Sequence, residues 1–597
     1  MPEIRTLHDV VKMEKKKLDI RLLGRVLALA RPYRAVFALA GVLALLMAPL
    51  SILQPYLINV MVDEYVFAYD VPGMARIAAM LFGLLFLTGA LRYVFIFSTQ
   101  WLGQSVIRDL RVSVFRHITS LRLGYFDRTP IGTSTTRTIN DIETINTVFS
   151  QGTITIISDL LTLVAVLVVM TLTSWKLTLA CLTTMPLLIV ASYVFKEKVK
   201  LSYQKVRAQI SRMNAFLQEQ ISGMRIVQIF NAERQEGEKF RRINKEYTKA
   251  NLDAILYYAV FFPVVEIISA AALGLMVWWG AKGVIGGDVT LGALVAFPLY
   301  LSMLFRPIRM MADRFNTLQM GLVAAERVFE LLDRTDSIEQ TGTRQPERLS
   351  GSIAFDKVWF AYNEKDFVLK NVSFDISPGQ TMAIVGSTGS GKTTIISLLN
   401  RFYEVQKGRI LIDGIDLREY HLSSLRQRIA IVLQDVFLFS GSVFENITLL
   451  DPAFSREEVI RASKLIGAHE FIERLPGGYD YKVMERGATL SMGQRQLISF
   501  VRALVFDPDI LILDEATSSI DPETEGVIQH AIEKLIARRT SIIIAHRLST
   551  IRHADRVLVL HKGEVREFGT HQELLLREDG WYRHLHEMQF LSTEVEE

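Results

Sequence analysis

Two clusters of residues, far apart in the chain, have the types and spacing to handle a nucleoside triphosphate. The run Gly386-Ser387-Thr388-Gly389-Ser390-Gly391-Lys392-Thr393 fits G-x-x-x-x-G-K-[ST]. Glycines there let successive backbone N–H groups turn inward around phosphates, Lys392 can reach the terminal phosphates, and Thr393 can ligate a magnesium ion. Apolar Met382 to Val385 reads as a buried strand entering the loop, and Thr394 to Asn400 as a helix leaving it. Phosphate would then sit at a helix N-terminus. The eight-residue pattern alone also leaves open a glycine-rich turn that matches by chance. About 120 residues further on, Ile510-Leu511-Ile512-Leu513-Asp514-Glu515 reads as a central strand ending in two carboxylates. In P-loop enzymes the first, Asp514, holds magnesium through water, and the second, Glu515, orients and polarises the attacking water.

These residues need a soluble α/β domain to position them, and the chain beyond about residue 335 has the mixed charge and short apolar runs of one. At 597 residues the chain exceeds a single core. Its first half is different. A bilayer core of about 30 Å needs roughly 20 helical residues. Six segments qualify: Ala35 to Val62, Ile77 to Phe97, Ile154 to Leu172, Leu177 to Phe195, Ala254 to Trp279 and Leu291 to Phe305, the last short and interrupted by Pro298. Glu266 and Arg92 lie inside two of them and should face a bundle interior, a cavity or a headgroup layer; Glu266 reads equally as a cavity-lining group or a paired structural carboxylate.

Lys and Arg set the expected orientation. Arg108, Arg111, Arg116, Arg122, Arg128 and Arg137 fall in one long connection and thirteen more in Lys196 to Asp253, while the short turns are nearly bare. Both long connections, both termini and the P-loop domain therefore belong in the cytoplasm. Each long connection has helical periodicity and reads as a hairpin prolonging the membrane helices by roughly 30 Å. The tips are expected near Ile131 to Asn140 and near Gln218 to Met224, where Gly223 breaks the pattern. Residues Leu18 to Tyr33 suit an interfacial helix or, equally, an ordinary surface helix. No removable leader is expected from the charged N-terminus. A net charge of +4 with no basic stripe interleaved with aromatics argues against a nucleic-acid partner. The single Cys181, in an apolar stretch, excludes an intrachain disulfide and a cysteine metal cage.

Between the two clusters lies Leu490-Ser491-Met492-Gly493-Gln494-Arg495-Gln496, and here the chain resembles the ATP-binding-cassette (ABC) family, whose signature usually reads Leu-Ser-Gly-Gly-Gln. The resemblance runs almost end to end and implies an exporter half-transporter. Its fold would be multidomain, with an all-α six-helix transmembrane domain followed by an α/β P-loop nucleotide-binding domain. The expected boundaries are 1–34 for the N-terminus, 35–320 for the membrane domain, 321–345 for a linker, 346–590 for the cassette and 591–597 for a tail.

Further positions agree with that family: Tyr362 where an aromatic stacks on adenine, Gln434 in Leu433-Gln434-Asp435, the Ser518-Ser519-Ile520-Asp521 dimer-contact loop, and His546 in Ala545-His546-Arg547. Tyrosine offers a π face, a neutral glutamine can sense magnesium and γ-phosphate, and histidine can hydrogen-bond the γ-phosphate. Taken singly, Tyr362 reads as a half-buried strand residue, Gln434 as a turn and His546 as a satisfied core histidine. Together they imply ATP bound by Tyr362, Gly386 to Thr394, Gln434 and Asp514 and by the signature residues Ser491, Met492, Gly493 and Gln494, with Thr393, Gln434 and Asp514 serving Mg2+, and catalysis by Glu515 and His546. In the family each ATP is sandwiched between one cassette's P-loop and the signature of another, so one cassette per chain implies a dimer.

Two positions depart from the family. Met484 stands where a glycine often precedes the Glu of a partner contact. Met492 puts bulk where the signature glycine lets backbone N–H groups approach the γ-phosphate. An intact P-loop, Asp514, Glu515 and His546 with a compromised signature resembles one half of heterodimeric exporters, whose partner has a consensus signature and an altered catalytic carboxylate. The alternative is a homodimer that tolerates Met492 because its main chain still offers the donors. The expected role is export of amphipathic drugs or lipids across a bacterial plasma membrane. A siderophore-type importer on the same fold and an ATP-gated channel or sensor are the competing readings, although an intact Glu515 favours repeated turnover over a one-shot switch.

Overall fold

A computed structural model describes residues 19–336, 342–363, 365–514, 522–545 and 551–587. The chain divides into two units, Met1–Thr119 with Pro130–Thr335, and Ser120–Thr129 with Asp336–Glu597.

In the first unit, six helices among the described residues are long and apolar enough to cross a membrane: Arg31–Val66, Val71–Ser120, Ile131–Thr173, Trp175–Ser222, Glu233–Ile285 and Leu291–Leu332. Each contains one of the six expected segments. Pro298 does not end the last, which runs through both Pro298 and Pro307. Its neighbours Phe297, Tyr300, Leu304 and Phe305 are buried against Val166, Met170, Cys181, Phe261 and Met276, so packing outweighs the lost backbone bond. Other faces stay apolar and exposed, as at Phe82, Phe86 and Trp278, which suits lipid or a second subunit rather than water.

One charged pair joining two of these helices is one the periodicity did not single out. Arg314 Nε lies 2.9 Å from Asp159 Oδ2, with both side chains only about a quarter exposed, at 22% and 25%. Glu266 is exposed instead. A charge inside a bundle is costly unless paired, and the Asp159 to Arg314 bridge satisfies that condition across two spans. At the start of the unit, Asp19 caps the helix Ile20–Ala28 by accepting from the N–H groups of Arg21 and Leu22. Arg25 of that helix donates to both Asp333 oxygens, at 2.6 and 2.5 Å, and lies 4.0 Å over the Phe329 ring. The N-terminal helix is thereby tied to the end of the sixth span.

Of the two arms, the second turns as expected: helix Met185–Ser222 stops at Gly223, a short helix Met224–Ile229 follows, and Glu233–Ile285 returns. The first turns earlier than expected. Its reversal carries the short helix Leu123–Arg128, bounded by extended Arg122 and Thr129, and Ser120–Thr129 belongs to the second unit. Ile131–Thr136 is already on the return, so Pro130 marks the end of the tip rather than its start.

The second unit is built on strands β1 (Ile353–Phe360), β2 (Leu369–Ile376), β3 (Thr381–Gly386), β4 (Lys407–Ile412), β5 (Ile415–Asp416), β6 (Ile429–Val432), β7 (Gly441–Ser442), β8 (Lys482–Val483), β9 (Ile510–Asp514), β10 (Thr540–Ile544), β11 (Arg556–His561) and β12 (Glu564–Gly569). One sheet is ordered β2-β1-β4-β5 and antiparallel; a second is ordered β12-β11-β3-β10-β9-β6, parallel from β11 to β6; β7 and β8 form a two-stranded antiparallel sheet. The parallel strands are buried on both faces. Alternate residues of β3 feed two cores: Met382 and Ile384 join Ile395, Ile396, Leu398 and Leu399, whereas Ala383 and Val385 join Leu497, Ile498, Phe500 and Val501.

Near the end of this unit His571 Nδ1 lies 2.6 Å from the Tyr582 hydroxyl. Burial, then the nearby charges of His586 and Arg552, push the His571 pKa below the ordinary histidine value. The folded protein therefore disfavours a cation that the unfolded chain accepts as pH falls through about 6.5, so the unfolded state binds more protons there. Stability should be level above that pH and decline below it. Thermal unfolding at pH 7.5 and 5.5 checks this, and His571→Gln should flatten the decline.

Candidate nucleotide-binding site

The phosphate cradle follows from local chain geometry. β3 runs into Gly386 at φ +155°, and the loop ends at Gly391, φ +107°, which caps the helix Lys392–Leu399. A Cβ on Gly386 would stand 2.2 Å from the Leu560 carbonyl oxygen, and one on Gly391 would meet Leu369 Cδ2 at 2.6 Å. Side chains are therefore excluded where backbone N–H groups must face a phosphate. Lys392 is buried at 8% exposure and its Nζ donates to the carbonyls of Gly386, at 2.7 Å, and Ser387, at 3.1 Å. Burial pushes its ammonium below the ordinary lysine range, with the Asp514 carboxylate opposing the shift. An anion there would restore the charged form. Ser390 Oγ is buried without a hydrogen-bond partner among the described residues.

Sheet register assembles the rest. Ile544 of β10 sits opposite both Ile384 of β3 and Asp514 of β9, and Val432 of β6 is opposite Leu513. The carboxyl ends of four parallel strands therefore lie side by side, carrying the P-loop, Ala545, Asp514 and the segment with Gln434. This is the edge at which open parallel sheets bind ligands. Thr393 and Gln434 are exposed there. Thr393, Gln434 and Asp514 each carry a side-chain oxygen, the ligand type a small hard cation takes. Glu515, His546 and the loop Ser518 to Asp521 lie outside the described residues; the strands that lead towards the first two end at Asp514 and Ile544. Tyr362 follows β1, is 40% exposed, and its hydroxyl lies 3.2 Å from Thr394 Oγ1.

The signature residues are arranged separately. Ser491 caps the helix Met492–Val505 in a reciprocal box: Gln494 N–H donates to Ser491 Oγ at 3.2 Å, and Ser491 N–H donates to Gln494 Oε1 at 3.0 Å. Met492 takes the first helical position and is half-buried, while Gly493 is buried. The P-loop helix and the signature helix feed the two different cores, on opposite faces of β3. The fold thus gathers Gly386 to Thr394, Tyr362 and Asp514 and keeps Ser491 to Gln494 apart from them. Sequence reasoning missed Arg426, which donates to the carbonyls of Asn400 and Arg401, at 3.1 and 3.0 Å, and stacks on Phe402 at 5.0 Å, fixing the turn after the P-loop helix. No local motif marks it, because its partners are about 25 residues away.

A P-loop unit on the same chain as six membrane-length helices defines an ATP-energised membrane transporter. Residues 37–308 match the ABC transporter transmembrane region and residues 369–518 match the ABC transporter family. The chain is 40% identical over 585 residues to an uncharacterized ABC transporter ATP-binding protein, YknV, of Bacillus subtilis (strain 168), covering 98% of this chain and 96% of that protein. It is 38% identical over 527 residues to a probable multidrug resistance ABC transporter ATP-binding/permease protein, YheH, of the same organism, covering 87% and 77%. It is 35% identical over 583 residues to an ATP-dependent lipid A-core flippase of Syntrophus aciditrophicus (strain SB), covering 98% and 96%. The chain belongs to the ABC transporter family, as an exporter half-transporter that couples ATPase activity to transport.

Proposed function

We propose that this chain is one half of a heterodimeric exporter that uses ATP to move amphipathic small molecules, drugs or lipids, across a bacterial plasma membrane, with the cassette and both termini in the cytoplasm. The placement of the P-loop and signature helices on opposite faces of one sheet supports paired cassettes, in which the signature would serve a nucleotide held by another cassette, and Met492 in that signature supports an unlike partner. The relatives named for multidrug resistance and lipid A-core flipping support the cargo class.

In the hydrolytic site, Lys392 would hold the β- and γ-phosphates and Tyr362 the adenine, with the partner supplying the signature. Thr393, Gln434 and Asp514 would hold Mg2+, which neutralises phosphate charge when bound. Glu515 would polarise water for attack on the γ-phosphorus as the bond to the ADP oxygen breaks, and His546 would hydrogen-bond the γ-phosphate. Loss of that phosphate weakens the closed pair of cassettes, and the arms return the membrane helices to their inward-facing state. The second site would combine Ser491, Met492 and Gly493 with the partner's P-loop and turn over slowly.

One observation favours a homodimer instead. The capping box holds the helix start with Met492 in place, so the backbone donors of Met492 and Gly493 keep a regular helical arrangement. Met492→Gly separates the two readings. In a heterodimer it should leave ATP turnover nearly unchanged, because the partner's altered carboxylate still disables the second site; in a homodimer, where Met492 stands in every hydrolytic site, any gain in turnover would appear. The oligomeric state and transport activity of this chain purified alone, in liposomes with a lipophilic dye, provide the direct check. Full activity without a companion chain would overturn the heterodimer.

A further inference from the structure

We infer that Arg128, at the end of the short helix Leu123–Arg128, is a positioning residue for the nucleotide base: it holds the main chain of Tyr362 and so links adenine stacking to that helix. The inference rests on the proposed role of Tyr362 as the adenine platform.

The backbone on either side of the Tyr362 ring is held by side chains from elsewhere. Gln406 grips Ala361 twice, accepting from its N–H at 2.8 Å and donating to its carbonyl at 2.7 Å. Arg128 Nη2 donates to the Tyr362 carbonyl at 2.6 Å, a charge-assisted bond across a separation of 234 residues. A second link lies alongside. The Tyr403 hydroxyl bonds to Asp127, the neighbour of Arg128, and the Tyr403 ring meets the Tyr362 ring edge-on at a centroid distance of 5.1 Å. Gly124 allows this approach, since a Cβ there would stand 3.3 Å from Tyr403 Cε1. Tyr403 itself follows the P-loop helix through the turn that Arg426 fixes. The short helix Leu123–Arg128 thus grips the base platform by its main chain and by its ring neighbour, and a base stacked on Tyr362 would stiffen a segment that this helix already holds.

The test uses the transporter as it assembles in membranes, with 8-azido-ATP photolabelling of this chain competed by ATP or by inorganic tripolyphosphate, which has no base. Arg128→Ala should weaken competition by ATP about threefold to tenfold and leave that by tripolyphosphate unchanged, with Arg128→Lys recovering part of the loss. In a Tyr362→Ala background, Arg128→Ala should add nothing further. Equal losses for both competitors, or no loss for either, would overturn the inference. Should Tyr362→Ala itself leave ATP competition intact, the adenine platform is misassigned, and the inference falls with it for that separate reason. Unfolding temperatures of each variant identify a loss of fold, and the Lys variant then decides between the outcomes.

Discussion

Glu515→Gln is expected to lower ATP turnover by about 10²- to 10³-fold while leaving ATP binding in place. The amide keeps the size of the carboxylate but removes the charge that, in the proposed mechanism, polarises the attacking water. Binding should survive because, in the proposed site, it rests on groups the substitution leaves alone: the P-loop donors, Lys392 and the Tyr362 platform. Phosphate release and equilibrium ATP binding on the same preparation check both halves of this expectation. Near-normal hydrolysis would remove Glu515 from the role assigned to it, and loss of binding would point to a fold effect.

Gly386→Ala should be nearly as damaging, for a different reason. The added Cβ would fall 2.2 Å from the Leu560 carbonyl oxygen, a backbone atom of β11 that pairs with Gly386 in the sheet. Neither strand can retreat without breaking the parallel register on which the P-loop stands. We expect a loss of about 2 to 4 kcal/mol in stability together with loss of ATP binding. Gly389→Ala is the control. Gly389 has φ +80° but nothing within 4 Å of a built Cβ, so only backbone strain of about 1 to 2 kcal/mol applies. Equal melting temperatures for the two variants would show that the Leu560 contact does not govern the site.

Much of the candidate site was legible because its parts are contiguous. The P-loop glycines, Lys392 and Thr393 lie within one turn between a strand and a helix, so their spacing in the chain carries their geometry. The membrane helices were legible for a related reason, since hydrophobic length is a local property. The first arm was less so: Pro130 was visible as a break, but a proline marks an interruption without saying on which side the reversal lies. Asp159 went unnoticed because its meaning depends on Arg314, more than a hundred residues away on another helix.

Residue types and their spacing specify the chemistry available: a phosphate cradle, a strand ending in carboxylates, a signature carrying Met492, and six apolar spans. Which groups work together is a matter of packing. The folded chain sets the P-loop and signature helices on opposite faces of β3, joins Arg128 to the carbonyl of Tyr362, and pairs Asp159 with Arg314. The physical reason is that alternation along a strand and pairing between distant side chains acquire direction only when the chain is packed, so no local spacing can encode them.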